Sequence, residues 1–345
     1  MNRTSHRLAV VAFVLLTAGC SSAPTAGTPA ATPRPTVKFE IPVVRFTVPL
    51  KPQGRGLAAI AVSDQGAWVV GAGRTSGTLT SINAAGERTG KSTVGWSPED
   101  VAVDKTEIWV VNGVGDGSVR KGNQNTVLKV GGGDGPDLSV DVTQPRALAL
   151  GANAVWVVAG KAGIQAFGRR DGKELDALKA KNPISAVGFA AGRVWLSEAA
   201  DTAAVESFTE GDAAHSALLA LDGKTSIGRV EQDSQGKTWL AAVNATGQVE
   251  LLQLSADGAS VARTISTQVL AKTVPLPDGV AIAWDRAWIL SNGSQLDGVS
   301  LETGMVDATL KVPVKTGAPA FAVASTPDAL WVLAKDGVVC YGPPS

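Results

Sequence analysis

Seven tryptophans recur in nearly the same local setting along this chain of 345 residues. Small or aliphatic residues flank them, as in AWVV at Trp68, IWVV at Trp109 and LWVL at Trp331. The other four are Trp156, Trp195, Trp239 and Trp288. Successive members lie 41, 47, 39, 44, 49 and 43 residues apart. A period of about 44 residues with several short β-rich pieces inside it is typical of a four-stranded propeller blade. The repeat therefore predicts an all-β chain that folds as a seven-bladed β-propeller.

Further marks predict the order of strands within a blade. Most of the tryptophans follow a proline by 11 or 12 residues, and small residues alternate with aliphatic ones after that proline, as in PRALALG. The prolines are Pro98, Pro145, Pro183, Pro277 and Pro319. Small side chains suit an innermost strand crowded around the axis, and proline suits the loop that enters it, where no ladder hydrogen bond is lost. The tryptophan strand is then the second of four.

The last blade is one strand short at the C-terminus. After the segment 337–341 only Gly-Pro-Pro-Ser remains. A β-rich segment, IPVVRFTVP at 41–49, precedes the first innermost strand. Pairing it with the C-terminal strands would remove two open sheet edges, which are a liability of β-proteins. We expect the propeller to span 37–345 and the N-terminal strand to complete the last blade.

The N-terminus predicts export. Arg3 and Arg7 precede an apolar run over 8–16 that is far shorter than the roughly 20 residues of a membrane span. A basic start, a short apolar middle and a small-residue cleavage site are typical of a signal peptide, here 1–19.

The stretch TAGC, which ends at Cys20, resembles a bacterial lipobox, although Thr17 stands where a leucine is commoner. The resemblance implies a diacylglyceryl group on Cys20 and a lipid-anchored protein on the extracytoplasmic side of the cell membrane. An ordinary signal peptide with a chance cysteine is the alternative.

Residues 20–36 are rich in proline, threonine and alanine, a composition that favours an extended, disordered tether. Lipidation of Cys20 would leave Cys340 as a lone cysteine, which we expect to behave as a small buried apolar residue.

Charge argues against nucleic acid as a partner. The chain has 31 basic and 31 acidic residues, with both signs interspersed. A protein that binds the phosphate backbone usually shows a basic excess or stripe.

One blade pattern is clearest where IWVVN at 108–112 is followed by NTVLKV at 125–130 and PRALA at 145–149. It resembles YVTN-type propellers and the related streptogramin lyase-like family over nearly all of 41–341. Streptogramin lyases, as a family, use a histidine base and a magnesium ion held by acidic residues. Here the histidines are His6, inside the signal peptide, and His215. We therefore expect His215 to be a solvent-facing loop residue, and we assign no catalytic residue, metal or cofactor.

The segment 197–215 is the strongest candidate for metal binding in the sequence. Its ionisable residues are Glu198, Asp201, Glu206, Glu210, Asp212 and His215. It lacks the spaced Asp/Gly pattern of a calcium loop. We expect a long solvated loop on the same face as the other long loops.

Geometry predicts one functional face. In a propeller, the loops after the tryptophan strand and the loops that enter the innermost strand open on the same side. Exposed aromatic residues and arginines are usual anchors of binding surfaces. The candidate residues are Trp96, Glu99, Arg120, Lys121 and Arg146. Packing of Trp96 between blades is an equal alternative.

Two functions remain open. The favoured one is a non-catalytic binding or scaffold module, expected to be monomeric, that engages a protein or a polymer of the cell envelope. The other is a lyase or hydrolase at the propeller mouth, which would need acidic and basic side chains converging on the axis.

Overall fold

The computed structural model describes residues 41–51, 56–73, 76–105, 107–113, 125–131, 136–199, 201–271, 276, 278–313 and 319–344. Within these ranges the chain forms seven four-stranded antiparallel sheets, each made of strands that are neighbours in the ring order of a propeller. The predicted seven-bladed all-β fold is confirmed. The predicted signal peptide, the predicted tether with Cys20, and the candidates Arg120 and Lys121 lie outside the described residues.

The strands follow one another in chain order from β1 (Val44–Pro49), which belongs to the last blade. Blade 1 consists of β2 (Gly56–Ser63), β3 (Gly66–Ala72), β4 (Thr78–Asn83) and β5 (Arg88–Thr93). Blade 2 consists of β6 (Pro98–Val103), β7 (Ile108–Asn112), β8 (Thr126–Val130) and β9 (Pro136–Asp141). Blade 3 consists of β10 (Pro145–Leu150), β11 (Ala154–Ala159), β12 (Gly163–Gly168) and β13 (Glu174–Lys179). Blade 4 consists of β14 (Ile184–Ala190), β15 (Arg193–Glu198), β16 (Ala204–Thr209) and β17 (Ala217–Ala220).

Blade 5 consists of β18 (Lys224–Gln232), β19 (Thr238–Asn244), β20 (Gln248–Leu254) and β21 (Val261–Leu270). Blade 6 consists of β22 (Val280–Ala283), β23 (Arg286–Asn292), β24 (Gln295–Ser300) and β25 (Val306–Lys311). Blade 7 consists of β26 (Ala320–Thr326), β27 (Ala329–Ala334), β28 (Gly337–Tyr341) and β1. A short 3-10 helix, Ala213–His215, precedes β17. No helix in the described ranges has the length and hydropathy needed to cross a membrane.

The N-terminal strand closes the ring, as predicted. Strand β1 pairs antiparallel with β28, with Phe46 opposite Cys340 and Val48 opposite Val338. The ring of Phe46 meets Trp331 edge to face at a centroid distance of 5.4 Å. Cys340 is 1 % exposed and packs in the same cluster, so it acts as the small apolar residue that the sequence predicted.

The core lies between the blades. The seven repeated tryptophans all occupy the second strand of a blade and are at most 8 % exposed. In the part of the chain that the structure describes, buried apolar side chains form seven clusters, and each cluster joins two adjacent blades. Every blade therefore buries both of its faces only when the ring is closed.

The innermost strands surround a narrow central channel. The residues that pair with the seven tryptophans are Ala61, Ala102, Ala149, Gly188, Glu231, Ala281 and Ala324. Six of them are small, as crowding around an axis requires, and Glu231 is the exception. We call the end of the ring where the innermost strands begin the upper face, and the end where they turn into hairpins the lower face.

Candidate functional site in the central channel

A small pocket of about 190 Å³ lies at the upper end of the channel. Glu99 and Arg146 line it from the starts of β6 and β10, and both residues are exposed. Each directly follows a proline that begins its strand. Glu99 and Arg146 thus occupy equivalent positions in neighbouring blades, and this places their opposite charges in one pocket.

The carboxyl group of Glu99 has a raised pKa in this pocket. The residue is exposed as a whole, but its carboxyl group lies against Gly113, where any Cβ atom would clash with it. Burial raises the pKa of the Glu99 carboxyl, and the nearby Arg146 opposes this shift. Arg146 itself has no ion-pair partner among the described residues, so its guanidinium group is available to a ligand.

Deeper in the channel, one arginine bridges two carboxylates. Nη2 of Arg229 on β18 lies 3.3 Å from Oδ2 of Asp100 and 3.4 Å from Oδ1 of Asp278. Burial disfavours the charge of Arg229, but the surrounding carboxylates hold its pKa above the ordinary value. The arginine is therefore charged at every physiological pH.

Asp100 is the most enclosed member of this group. Its side chain is 8 % exposed and also accepts backbone N–H groups from Val101 and Leu148, at 2.9 and 3.0 Å. Burial raises the pKa of Asp100, whereas Arg229 lowers it. Because Leu148 belongs to blade 3 and Arg229 to blade 5, Asp100 ties blade 2 to two other blades.

Glu231 lies two residues beyond Arg229 on β18, further towards the lower face. Burial raises its pKa to about 7, against the attraction of Arg229. A carboxyl group with this pKa changes its charge near neutral pH. Ionisable groups with perturbed pKa values in a concave site are candidates for function.

Of the two alternatives left open for Trp96, its burial favours packing. Trp96 is 8 % exposed. Its ring therefore offers little surface to a partner, while Glu99 and Arg146 remain exposed at the channel mouth.

The segment 197–215 is not the single loop that we predicted. Residues 204–209 form strand β16, and Glu198 and Glu206 are buried within the blade. Oε2 of Glu198 accepts a hydrogen bond of 2.8 Å from Asn182. Burial raises the pKa of Glu198, and the neighbouring Glu206 raises it further. Polar residues made this segment look like a loop, but its alternate side chains face the blade interfaces.

The far end of that segment lies at the opposite face of the propeller. Glu210 and His215 follow β16 at the lower face, where Glu210 accepts hydrogen bonds from Ala154 and Trp156 of blade 3. The His215 side chain is 82 % exposed and lies 2.6 Å from Asp212, which raises its pKa. No group of three or more potential metal ligands converges among the described residues. His215 is thus solvent-facing and remote from the channel.

Solved structures with this architecture include an enzyme. A catalytically inactive histidine-to-alanine variant of virginiamycin B lyase from Staphylococcus aureus, solved with quinupristin, superposes with a TM-score of 0.65. The alignment has 14 % identity and covers 86 % of this chain and 98 % of the lyase. The two proteins share one fold.

Virginiamycin B lyase is not alone in this likeness. Hydrazine synthase from Kuenenia stuttgartiensis matches with a TM-score of 0.66 and 12 % identity, over 86 % of this chain and 98 % of that one. No protein-family model matches the sequence, and no curated protein matches it significantly. The streptogramin lyase-like resemblance is confirmed as a likeness of fold, and at these identities it extends no further.

Sequence reasoning missed Asp100, Arg229, Glu231 and Asp278, which line the channel. A signal for two of them was present. Strand β18 reads KTSIGRVEQ, so Glu231 lies opposite its tryptophan, where the other six innermost strands have alanine or glycine, and Arg229 lies two residues earlier, at the position that Asp100 has in β6. An alignment of the seven blades on their tryptophans shows that β18 has charged residues at these positions.

Proposed function

We propose that the protein is a lipid-anchored, extracytoplasmic binding module that recognises a protein or envelope polymer at the upper mouth of its channel. The size of the upper pocket carries this proposal. Its volume of about 190 Å³ is below the roughly 300–1,000 Å³ of small-molecule sites. A single side chain or sugar unit of a larger partner fits such a pocket better than a whole substrate does.

The charges at the rim support polar recognition. Arg146 and Glu99 have opposite signs and stand side by side in neighbouring blades. Below them, the Arg229 side chain is engaged by Asp100 and Asp278, which favours a rigid floor. A ligand group with both a donor and an acceptor would be matched at the rim.

A binding measurement tests this proposal. Partners would be captured from the native envelope on the wild-type protein, and the affinity of the purified partner would be compared among variants. We expect Arg146→Ala or Glu99→Ala to weaken binding by more than about 1 kcal/mol, roughly fivefold. Lys173→Ala is the control, because Lys173 is exposed on a lower-face turn. A partner that is indifferent to both upper-face variants would contradict the proposal.

The second candidate function is a lyase or hydrolase that works in the same pocket. One observation favours it: a carboxyl group with a raised pKa, Glu99, lies next to Arg146. Such a carboxyl could act as a general acid. Turnover of quinupristin or of an envelope glycan that is lost in Glu99→Gln, but kept in His215→Ala, would support this function over the first.

A further inference from the structure

A second, larger cavity opens at the lower face of the channel. It has a volume of about 530 Å³, which lies within the range of small-molecule sites. The ends of the innermost strands and the hairpins of blades 4 to 7 form it. Its apolar wall includes Phe189, Ile282, Trp284 and Pro327. No described residue lines both the upper pocket and this cavity.

The charge of the cavity has one sign. Its described lining includes the carboxylates of Glu231, Asp233 and Asp285, and none of the described lining residues is a lysine, arginine or histidine. Asp233 is already engaged, since it accepts the indole N–H of Trp239 at 2.9 Å. Asp285 accepts the hydroxyl of Ser234 at 3.3 Å.

Glu231 differs from the other two carboxylates. It makes no hydrogen bond with any described residue, and six of the seven blades have alanine or glycine at its position. The nearby Arg229 does not satisfy it by a hydrogen bond, because that guanidinium group is directed to Asp100 and Asp278. The Glu231 carboxylate is thus left for a ligand.

Trp284 lines the lower cavity, and its backbone conformation is strained. Trp284 and Asp285 form the two-residue turn between β22 and β23, with φ values of +53° and +57°. Asn-Gly is preferred in such turns, and a bulky residue at positive φ is a rare outlier. The indole N–H donates to the Pro327 carbonyl at 2.9 Å, and the ring stacks edge to face on Trp288. Strain of this kind persists mainly where it positions a functional group.

We propose that the lower cavity binds an organic cation, an ammonium or quaternary ammonium group on an apolar body, with Glu231 as its counter-charge and Trp284 as its aromatic face. Cations are attracted to the face of an indole ring. An anion would meet three carboxylates, and a neutral apolar ligand would cover the Glu231 carboxylate without giving it a polar partner. A hard metal cation would want more free oxygen ligands than one carboxylate provides.

Proton binding to Glu231 gives the site a predictable pH dependence. The charged groups around it are Arg229 and Asp278 on the upper side and Asp233 and Asp285 on the lower side. Burial raises the pKa of Glu231 to about 7, so its carboxylate forms as the pH rises through neutrality. A quaternary ammonium ion cannot lose its charge. Its affinity should therefore rise between pH 6 and pH 8.

The experiment uses benzyltrimethylammonium as the probe and the full-length protein, with binding measured by calorimetry at pH 6 and pH 8. We expect the dissociation constant to be at least fivefold lower at pH 8. Glu231→Gln and Glu231→Ala should each weaken binding at pH 8 at least tenfold and abolish the pH dependence. Glu231→Ala introduces the residue that most other blades carry, so the fold should survive, which circular dichroism would check.

Controls separate this site from general charge effects. Glu302→Gln makes the same chemical change on an exposed lower-face turn outside the cavity, and it should leave the affinity within twofold. Trp284→Gly relieves the positive φ but removes the aromatic face, and it should weaken binding. Equal affinity of the wild type for neutral 2-phenylethanol, or unchanged binding in both Glu231 variants, would overturn the proposal.

Discussion

Arg229 on the innermost strand of blade 5 lies 3.3 Å from Asp100 on the innermost strand of blade 2, so an ion pair crosses the central channel. The two residues are 129 positions apart in the chain and belong to blades that are not neighbours. The pair lies between the upper pocket and Glu231, which lines the lower cavity. It therefore both braces the ring and separates the two candidate sites.

Removing the arginine should destabilise the fold. Arg229→Met leaves Asp100 buried without a counter-ion, a change that typically costs about 3 kcal/mol in the free energy of unfolding. Urea denaturation at pH 7.5 measures it. The loss should be smaller at acidic pH, because burial raises the pKa of Asp100 and the carboxyl then takes up a proton. The double variant with Asp100→Asn should recover at least half of the loss, and strictly additive losses would contradict the role of the pair.

Glu231 should make stability depend on pH. Its pKa is raised from 4.5 to about 7 in the folded protein, so the folded state binds this proton more tightly than the unfolded state. The associated stability is complete below pH 4.5 and is lost as the pH rises through 7. Since the group is partly solvated, we expect a loss of about 1–3 kcal/mol between pH 5 and pH 8.

The matched variant for that prediction is Glu231→Gln, which has no proton to exchange. Its unfolding free energy should exceed that of the wild type by about 1–2 kcal/mol at pH 8 and should not at pH 5. Urea midpoints at the two pH values give the comparison. Parallel pH profiles for the two proteins would rule out this titration.

The closing strand should be essential to stability. Deleting 37–50 removes β1, exposes the edge of β28 and takes Val48 and Leu50 out of the cluster between blades 7 and 1. We expect the free energy of unfolding to fall by more than about 3 kcal/mol. Deleting the tether 21–36 serves as the control and should change it by less than about 0.5 kcal/mol. Equal thermal unfolding of the two deletions would be evidence against closure by β1.

Cys20 should anchor the protein. Cys20→Ala removes the proposed lipid site, so the protein should move from the membrane fraction to the aqueous phase on detergent partitioning. Cys340→Ala is the matched control, because Cys340 is buried in blade 7 and the lipid would remain. If Cys20→Ala still partitions wholly into detergent, the anchor lies elsewhere in the chain.

The architecture could be predicted because its signals are local and repeated. Each blade has a buried tryptophan on its second strand. The residues next to Trp109 or Trp156 in the sequence are therefore enough to identify a blade. The closing strand was predictable for a related reason, since one blade lacked a strand and Phe46 lies in a spare β-rich segment. The exposure of Glu99 and Arg146 at the channel mouth was predictable, because the loops that enter the innermost strands of a propeller open on one face.

Burial and the meeting of distant groups were not predictable in this way. Glu206 lies in a polar stretch that reads as a loop, yet strand β16 is covered by neighbouring blades. The sequence allowed Trp96 to face either solvent or the core, and only the tertiary structure shows that its side chain is buried.

The sequence by itself determined the number of blades and their closure, because strand period and buried tryptophans are encoded within about 44 residues at a time. Only the tertiary structure brought Asp100, Arg229 and Glu231 into one channel, because the innermost strands of separate blades meet there. The raised pKa of Glu231 follows from that enclosure. The loss of water around a carboxyl group depends on every blade that surrounds it, so it cannot be predicted from a local sequence pattern.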